Sequence, residues 1–192
     1  MGINGKKKGN RAELAIAKEF SELFNDTFRR VPQSGALVGG ANRFKNMTLR
    51  QDAQEILAGD VICPEWFPMS IESKCYGEKT GCNMYGILER NDPKLQEWIA
   101  QAKGDAEFAK KIYLLIIKIT RKSDYCVIDY SKFVAILEQF SVEMPNKYIK
   151  YNDSIILDKQ DFINNYIHFY FPEEKRNVKA NQIIINTDTT ST

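Results

Sequence analysis

The order of elements in this sequence predicts an α/β fold with a mixed β-sheet flanked by helices. Residues 112–119 are almost continuously apolar, as a strand buried on both faces should be. Stretches with helical spacing lie before and after it, so strands and helices alternate. With 192 residues, 43% hydrophobic and 27% charged, the chain is long enough for one domain with a proper core.

Residues 1–9 are rich in Gly and Lys and read as a mobile basic arm. Asn10 suits a helix N-cap, and Glu13 stands at the capping-box position. The helix runs to about Phe24, with Glu13, Ala17, Phe20 and Phe24 on one face. Phe28–Val31 reads as a short strand, broken by Pro32-Gln33-Ser34-Gly35. A Gly-containing basic loop over 36–46 and a short helix over 48–57 follow. Asp60–Cys63 and Met69–Tyr76 read as strands joined by Pro64-Glu65-Trp66-Phe67-Pro68, and 77–91 as irregular.

Asp92-Pro93 opens a helix whose apolar stripe is Leu95, Trp98, Ile99 and Ala102. After strands Ile112–Ile119 and Tyr125–Asp129 comes a smaller αββα appendage: a helix over Ser131–Phe140, a hairpin turning at Asn152-Asp153, and a helix over about Lys159–Tyr166. The domain reading is an arm over 1–9, a core over 10–130, an appendage over 131–186 packed on that core, and a disordered tail over 187–192.

No apolar run approaches the 18 residues of a membrane span, and no apolar run follows the basic N-terminal residues. The four cysteines, Cys63, Cys75, Cys82 and Cys126, lack paired C-x-x-C spacing. Free thiols in a reducing cytoplasm are the expectation. The single histidine, His168, excludes multi-His zinc chemistry and leaves Ser-His-Asp or Cys-His mechanisms one base with no spare. Catalysis in this chain should therefore run on carboxylates, lysine and a hard metal ion.

Net charge is only +2, but it is unevenly spread. Residues 1–50 carry ten Lys/Arg against four Asp/Glu, and residues 51–100 carry four against nine. A basic first quarter beside an acidic second suits a phosphate-binding surface around a cation-binding centre; ordinary scatter of solvated charge is the alternative.

The chemistry concentrates in Gly59-Asp60-Val61-Ile62-Cys63 and Met69-Ser70-Ile71-Glu72-Ser73-Lys74-Cys75. Alternation along a strand puts Glu72 and Lys74 on one face, roughly 6.5–7 Å apart. Asp60 and Glu72 each lie six residues from Trp66. A symmetric hairpin would set them opposite one another, with Cβ atoms about 5 Å apart, although a bulge could shift this register. Two opposed carboxylates among apolar residues need neutralising. A divalent cation does this, and Mg²⁺ prefers one or two carboxylates plus water and phosphate oxygens. A salt-bridged Glu and Lys on an exposed strand face is the alternative. Two other carboxylate-x-Lys triplets, ending at Lys94 and Lys175, open a helix and follow a proline, so neither sits in a strand-like run.

Asp60, eleven residues, then Glu72-Ser73-Lys74 resembles the PD-(D/E)XK nuclease superfamily, with Gly59 where the usual Pro stands. Asn10-Arg11-Ala12-Glu13-Leu14-Ala15 is similar to the first helix of archaeal and phage Holliday-junction resolvases. Arg30-Val31-Pro32-Gln33-Ser34-Gly35 is similar to their Arg-bearing strand and Ser-Gly loop, and the helix with Gln101 and the two strands after it to their closing elements. The resemblance covers about residues 9–130. It implies a restriction-endonuclease-like core, with Asp60, Glu72, the Ser73 carbonyl and Glu13 as metal ligands. It makes Lys74 the catalytic lysine and places Ser34 near the scissile phosphate.

Lys6, Lys7, Lys8, Arg11, Arg29, Arg30, Gln33, Arg43, Lys45 and Gln101 are the candidate DNA contacts. The implied function is Mg²⁺-dependent cutting of DNA, with Mn²⁺ substituting, by a resolvase-like homodimer. It would act on branched or duplex DNA in the cytoplasm, that of the host cell if it is phage-encoded. A restriction-like or repair nuclease, or a silent DNA-binding protein on the same fold, is the alternative.

Overall fold

The computed structural model describes residues 3–32, 56–76, 84–119 and 123–176. Helix α1 (Ile3–Phe24) is followed by strands β1 (Arg29–Arg30), β2 (Val61–Ile62) and β3 (Met69–Tyr76). Helices α2 (Met84–Leu88) and α3 (Pro93–Phe108) lead to β4 (Ile112–Ile119) and β5 (Asp124–Asp129). Then come α4 (Tyr130–Phe140), the hairpin β6 (Ile149–Tyr151) and β7 (Ser154–Asp158), α5 (Lys159–Asn165) and a 3₁₀ turn over Ile167–Tyr170.

Among the described residues the strands form one seven-stranded sheet, ordered β1-β2-β3-β4-β5-β7-β6. β3 and β4 are parallel, and the other neighbours are antiparallel. The parallel pair requires a crossover, which α3 supplies. Its start is fixed by Pro93 at the first turn and by the Asp92 side chain, which accepts the Leu95 N–H at 2.8 Å.

Strand alternation sorts the core into two layers. Ile71, Leu114, Ile116, Cys126, Ile128, Ile155 and Leu157 pack with α1, α4 and α5. Tyr113, Leu115, Ile117, Val127 and Ile156 pack with α3. On the α1 side, Phe20, Phe24, Phe28, Trp66, Phe67 and Phe171 form a cluster of mostly edge-to-face rings. It clamps the β2–β3 turn against α1.

The structure revises the N-terminus. Residues 3–9, read as a mobile arm, are helical, so Asn10 lies mid-helix and caps nothing. Its side chain instead accepts a hydrogen bond from Arg30 at 2.9 Å. Lysine is a good helix former, and glycine in a helix costs only about 1 kcal/mol relative to alanine, so Gly5 and Gly9 flanking three lysines do not stop propagation. Residues 84–88, read as irregular, form the single turn α2. The αββα segment is present as read, but its hairpin is built into the sheet through β7 rather than set beside it. Lys159 at the start of α5 ties that segment back to α1, its ammonium lying 2.8 Å from both Glu19 carboxylate oxygens. The loop over 36–46, most of the helix expected over 48–57, and the tail over 187–192 lie outside the described residues. No helix among the described residues is long and apolar enough to cross a membrane.

Candidate active site

β2 pairs with β3 through Val61 opposite Ile71, so continuing that register by one residue sets Asp60 against Glu72. The ladder breaks at this point. Gly59 has φ +86°, and a Cβ there would sit 2.7 Å from the Ile71 carbonyl oxygen. A side chain, and still more a proline with its fixed negative φ, would clash or strain the chain. That is the physical reason for glycine at 59.

Past this kink the Asp60 N–H donates to the Ile71 carbonyl at 2.8 Å. The Asp60 carboxylate then takes over the place of the departing strand and accepts the Ser73 N–H at 2.8 Å. In a strand, the N–H and C=O of one residue point to the same edge. The Ser73 carbonyl therefore faces Asp60's side of β3.

Glu72 and Lys74 project to the α3 face, where their register partners Leu115 and Ile117 lie. Glu72 is 2% exposed. Its Oε1 accepts from the Lys74 ammonium at 2.5 Å and from the Gln101 amide at 2.7 Å. The Lys74 ammonium also donates to the Gln101 carbonyl oxygen at 2.9 Å. Glu72, Lys74 and Gln101 thus close a ring of hydrogen bonds between β3 and α3.

Burial, and then the charge of Asp60, push the Glu72 carboxyl up to about 8, with Lys74 pulling the other way. A fourth residue shares this field. Asp105, one turn beyond Gln101 on α3, has its carboxyl raised by burial and then by the charge of Asp60, with Lys74 pulling the other way. Sequence reasoning missed Asp105. The available signal was its i+4 spacing from Gln101, which puts both on one helix face.

When Asp60, Glu72 and Asp105 are all ionised, Lys74 leaves these four groups at a formal −2, the charge one divalent ion would cancel. Clustered buried carboxylates fit a hard, oxygen-seeking cation. Among the described residues, no three His, Cys, Asp or Glu side chains gather as a ready-made metal cluster. The donor set is therefore a pair of carboxylates open to backbone, water and phosphate oxygens, which suits Mg²⁺ better than a closed cage.

Glu13, expected at the same point, stands on α1. It is buried, and its Oε2 accepts from Arg30 Nε at 2.6 Å. Arg30 is paired with Val61, whose side chain belongs to the α1-side core, so Glu13 and Arg30 meet on the opposite sheet face from Glu72. Lys7, Arg11 and Arg29 are exposed. Gln33, Ser34, Arg43 and Lys45, and the side chains of Lys6 and Lys8, lie outside the described residues.

The sequence model of the phage putative PDDEXK endonuclease family matches residues 4–184, nearly the whole chain. No curated protein and no solved structure is similar enough to the chain to count as a match. The family match spans the kinked strand with Asp60, the Glu72-Ser73-Lys74 strand and the helix behind them, and the mixed sheet is that of a restriction-endonuclease-like core. The chain belongs to the phage putative PDDEXK endonuclease family, within the PD-(D/E)XK nuclease superfamily.

Proposed function

We propose that this nuclease is a metal-dependent endonuclease hydrolysing DNA phosphodiester bonds, with four-way junctions as its preferred substrate and a homodimer as its working form. The observation that carries the reading is the Asp60–Glu72 pair, two buried carboxylates close enough for their charges to act on one another, with the Lys74 ammonium on Glu72.

Asp60, Glu72 and the Ser73 carbonyl would hold the ion, Mg²⁺ by donor hardness and Mn²⁺ as a substitute. A bound divalent ion would supply charge for the phosphate and a more acidic water. The protein's own parts divide the remaining work. Asp60 stays in place because the Ser73 N–H anchors one of its oxygens. Lys74, held by Gln101 as well as Glu72, orients the attacking water and offsets charge building on the phosphate. The basic residues of α1 and β1 track the DNA backbone, so binding should weaken steeply with salt.

The test is incubation with a four-way junction, linear duplex and single strands, in Mg²⁺, Mn²⁺ and EDTA. Cleavage that needs metal and is lost in Asp60→Asn and Glu72→Gln supports the reading. No cleavage of any DNA in either metal, or undiminished cleavage by those variants, overturns it. Paired symmetric cuts in the junction support the resolvase assignment and the dimer. Equal cutting of duplex and junction replaces that assignment with a restriction-like or repair nuclease.

A further inference from the structure

Helix α1 has two faces. Ile16, Ala17 and Phe20 are buried and pack into the sheet core. Half a turn around the helix, at steps of four, three and four residues, Lys7, Arg11, Leu14 and Lys18 form an exposed stripe. At 1.5 Å per residue it runs about 16 Å along the axis. Because residues 3–9 are helical, Lys7 stands one turn from Arg11 at a set spacing. The acidic residues of α1 do not neutralise the stripe. Glu13 meets Arg30, and Glu19 meets Lys159. Glu22 lies 3.6 Å from Lys18 with both side chains largely exposed, a contact worth little.

The stripe and the reacting groups lie on opposite sides of the sheet. Glu72 and Lys74 face α3, whereas α1 covers the other face and turns the stripe outward. The sheet and the width of α1, about 10–12 Å with side chains, stand between them. A duplex seated at Lys74 therefore leaves the stripe uncovered. β1 divides its two arginines in the same way. Arg30 meets Glu13 on the α1 face, so its strand neighbour Arg29, which is exposed, projects to the catalytic face.

We propose that Lys7, Arg11 and Lys18 form a second DNA-binding surface, which holds by its phosphates a duplex arm other than the one being cut. Arg29 serves the cut arm. This rests on the reading of the protein as a nuclease of branched DNA. The charge of the stripe selects an anionic polymer, and cations fixed on a helix lose little freedom when they meet phosphates. A second copy of the chain fits less well. A two-fold contact through this stripe would set cation against cation. Leu14, at 61% exposed, is also the one large apolar side chain of the stripe, too little for the apolar centre of a protein interface.

The experiment compares wild type, the Lys7→Ala/Arg11→Ala/Lys18→Ala triple variant and Arg29→Ala. Alanine is the best helix former, so the triple variant should keep α1, which circular dichroism checks. Binding of a fluorescent four-way junction, and of a linear duplex with the sequence of one arm, is read by anisotropy in EDTA over a range of salt. Molecular mass is read by ultracentrifugation. In the triple variant the loss of affinity for the junction should exceed the loss for the duplex by about tenfold or more. The salt slope for the junction should fall by about two to three. Arg29→Ala should weaken both substrates by the same factor.

Equal losses on junction and duplex in the triple variant overturn the proposal, because the stripe would then touch the arm being cut. Unchanged affinity for both overturns it too, since the stripe would not touch DNA. So does a fall in mass that accounts for the loss on the junction, which would assign the stripe to a second copy. If wild type cuts no DNA in Mg²⁺ or Mn²⁺ while the junction-selective loss is seen, the nuclease reading fails and the second surface stands.

Discussion

Two buried glutamates on opposite faces of the same sheet have different fates. Glu13, on the α1 face, meets the Arg30 guanidinium, which Asn10 also holds. Its charge is met by a group that cannot be deprotonated in a protein. Glu72, on the α3 face, shares its space with Asp60 and Asp105, and among the described residues Lys74 is the ammonium that pairs with it. Its carboxyl is pushed up to about 8. A carboxylate held by a guanidinium is stable by itself; a cluster of carboxylates invites a cation. Burial alone, which the two glutamates share, does not mark a functional carboxylate; the shortage of positive charge around it does.

The comparison breaks most simply at the chemistry. If the unmatched face is the reaction centre, Asp60→Asn, Glu72→Gln and Lys74→Ala should each lower DNA cleavage by about a thousandfold or more in Mg²⁺. The first two should also lose Mn²⁺ binding, measured by calorimetry. Lys74→Ala should keep it, since a lysine beside the ion is not needed to hold it. Retained binding in Glu72→Gln would mean the cation sits elsewhere.

Next in size is the backbone that delivers Asp60. Gly59→Ala adds a Cβ where the Ile71 carbonyl oxygen is 2.7 Å away, at a residue with φ +86°. The strand must shift, and Asp60 with it. We expect about a hundredfold loss of cleavage, with a destabilisation of about 2 kcal/mol by urea unfolding. Wild-type activity in this variant would show that the kink does not set the site.

Glu72 also sets a pH dependence in metal-free protein. Its folded-state value, about 8, lies above its ordinary 4.5. Between those values the folded state holds a proton that the unfolded chain has released. This contribution to stability is complete below about 4.5 and is lost as pH rises through about 8. The stability of wild type minus that of Glu72→Gln should therefore fall by up to about 1.4 kcal/mol per pH unit across that window. Saturating Mn²⁺ should abolish the decline, because the ion replaces the proton. A difference that rises with pH in metal-free protein would show that Lys74 already neutralises Glu72.

The sheet strands of the core were legible because their pattern is local. Ile112–Ile119 is apolar except for Lys118, and Asp92-Pro93 carries both a cap and a proline. The Asp60–Glu72 opposition followed from counting outward from Trp66, since a tight turn between paired strands fixes their register. Two kinds of feature were not legible. Asn10 has the chemistry of a cap, but a strand 20 residues further on claimed its side chain. Asp105 belongs to the site only because the crossover lays α3 over β3, a long-range fact that no neighbouring residue announces.

Glu13 gives the smallest expected effect and the sharpest test of the contrast. The resemblance to resolvases placed it on the metal; the geometry sets it against Arg30. Those roles differ by orders of magnitude in one variant. As a ligand, Glu13 replaced by Gln should cost about as much cleavage as losing Asp60. As the group that steadies Arg30, it should cost no more than about tenfold, because Gln still accepts from the guanidinium through its oxygen. The loss should then appear in KM for DNA rather than kcat, since Arg30 would touch backbone phosphate and not the reacting water. Arg30→Ala should reproduce it and lower the salt slope of binding by about one. Mn²⁺ affinity should be unchanged in both. A fall in Mn²⁺ affinity in Glu13→Gln alone would move Glu13 across the sheet, functionally, and make the two faces one site.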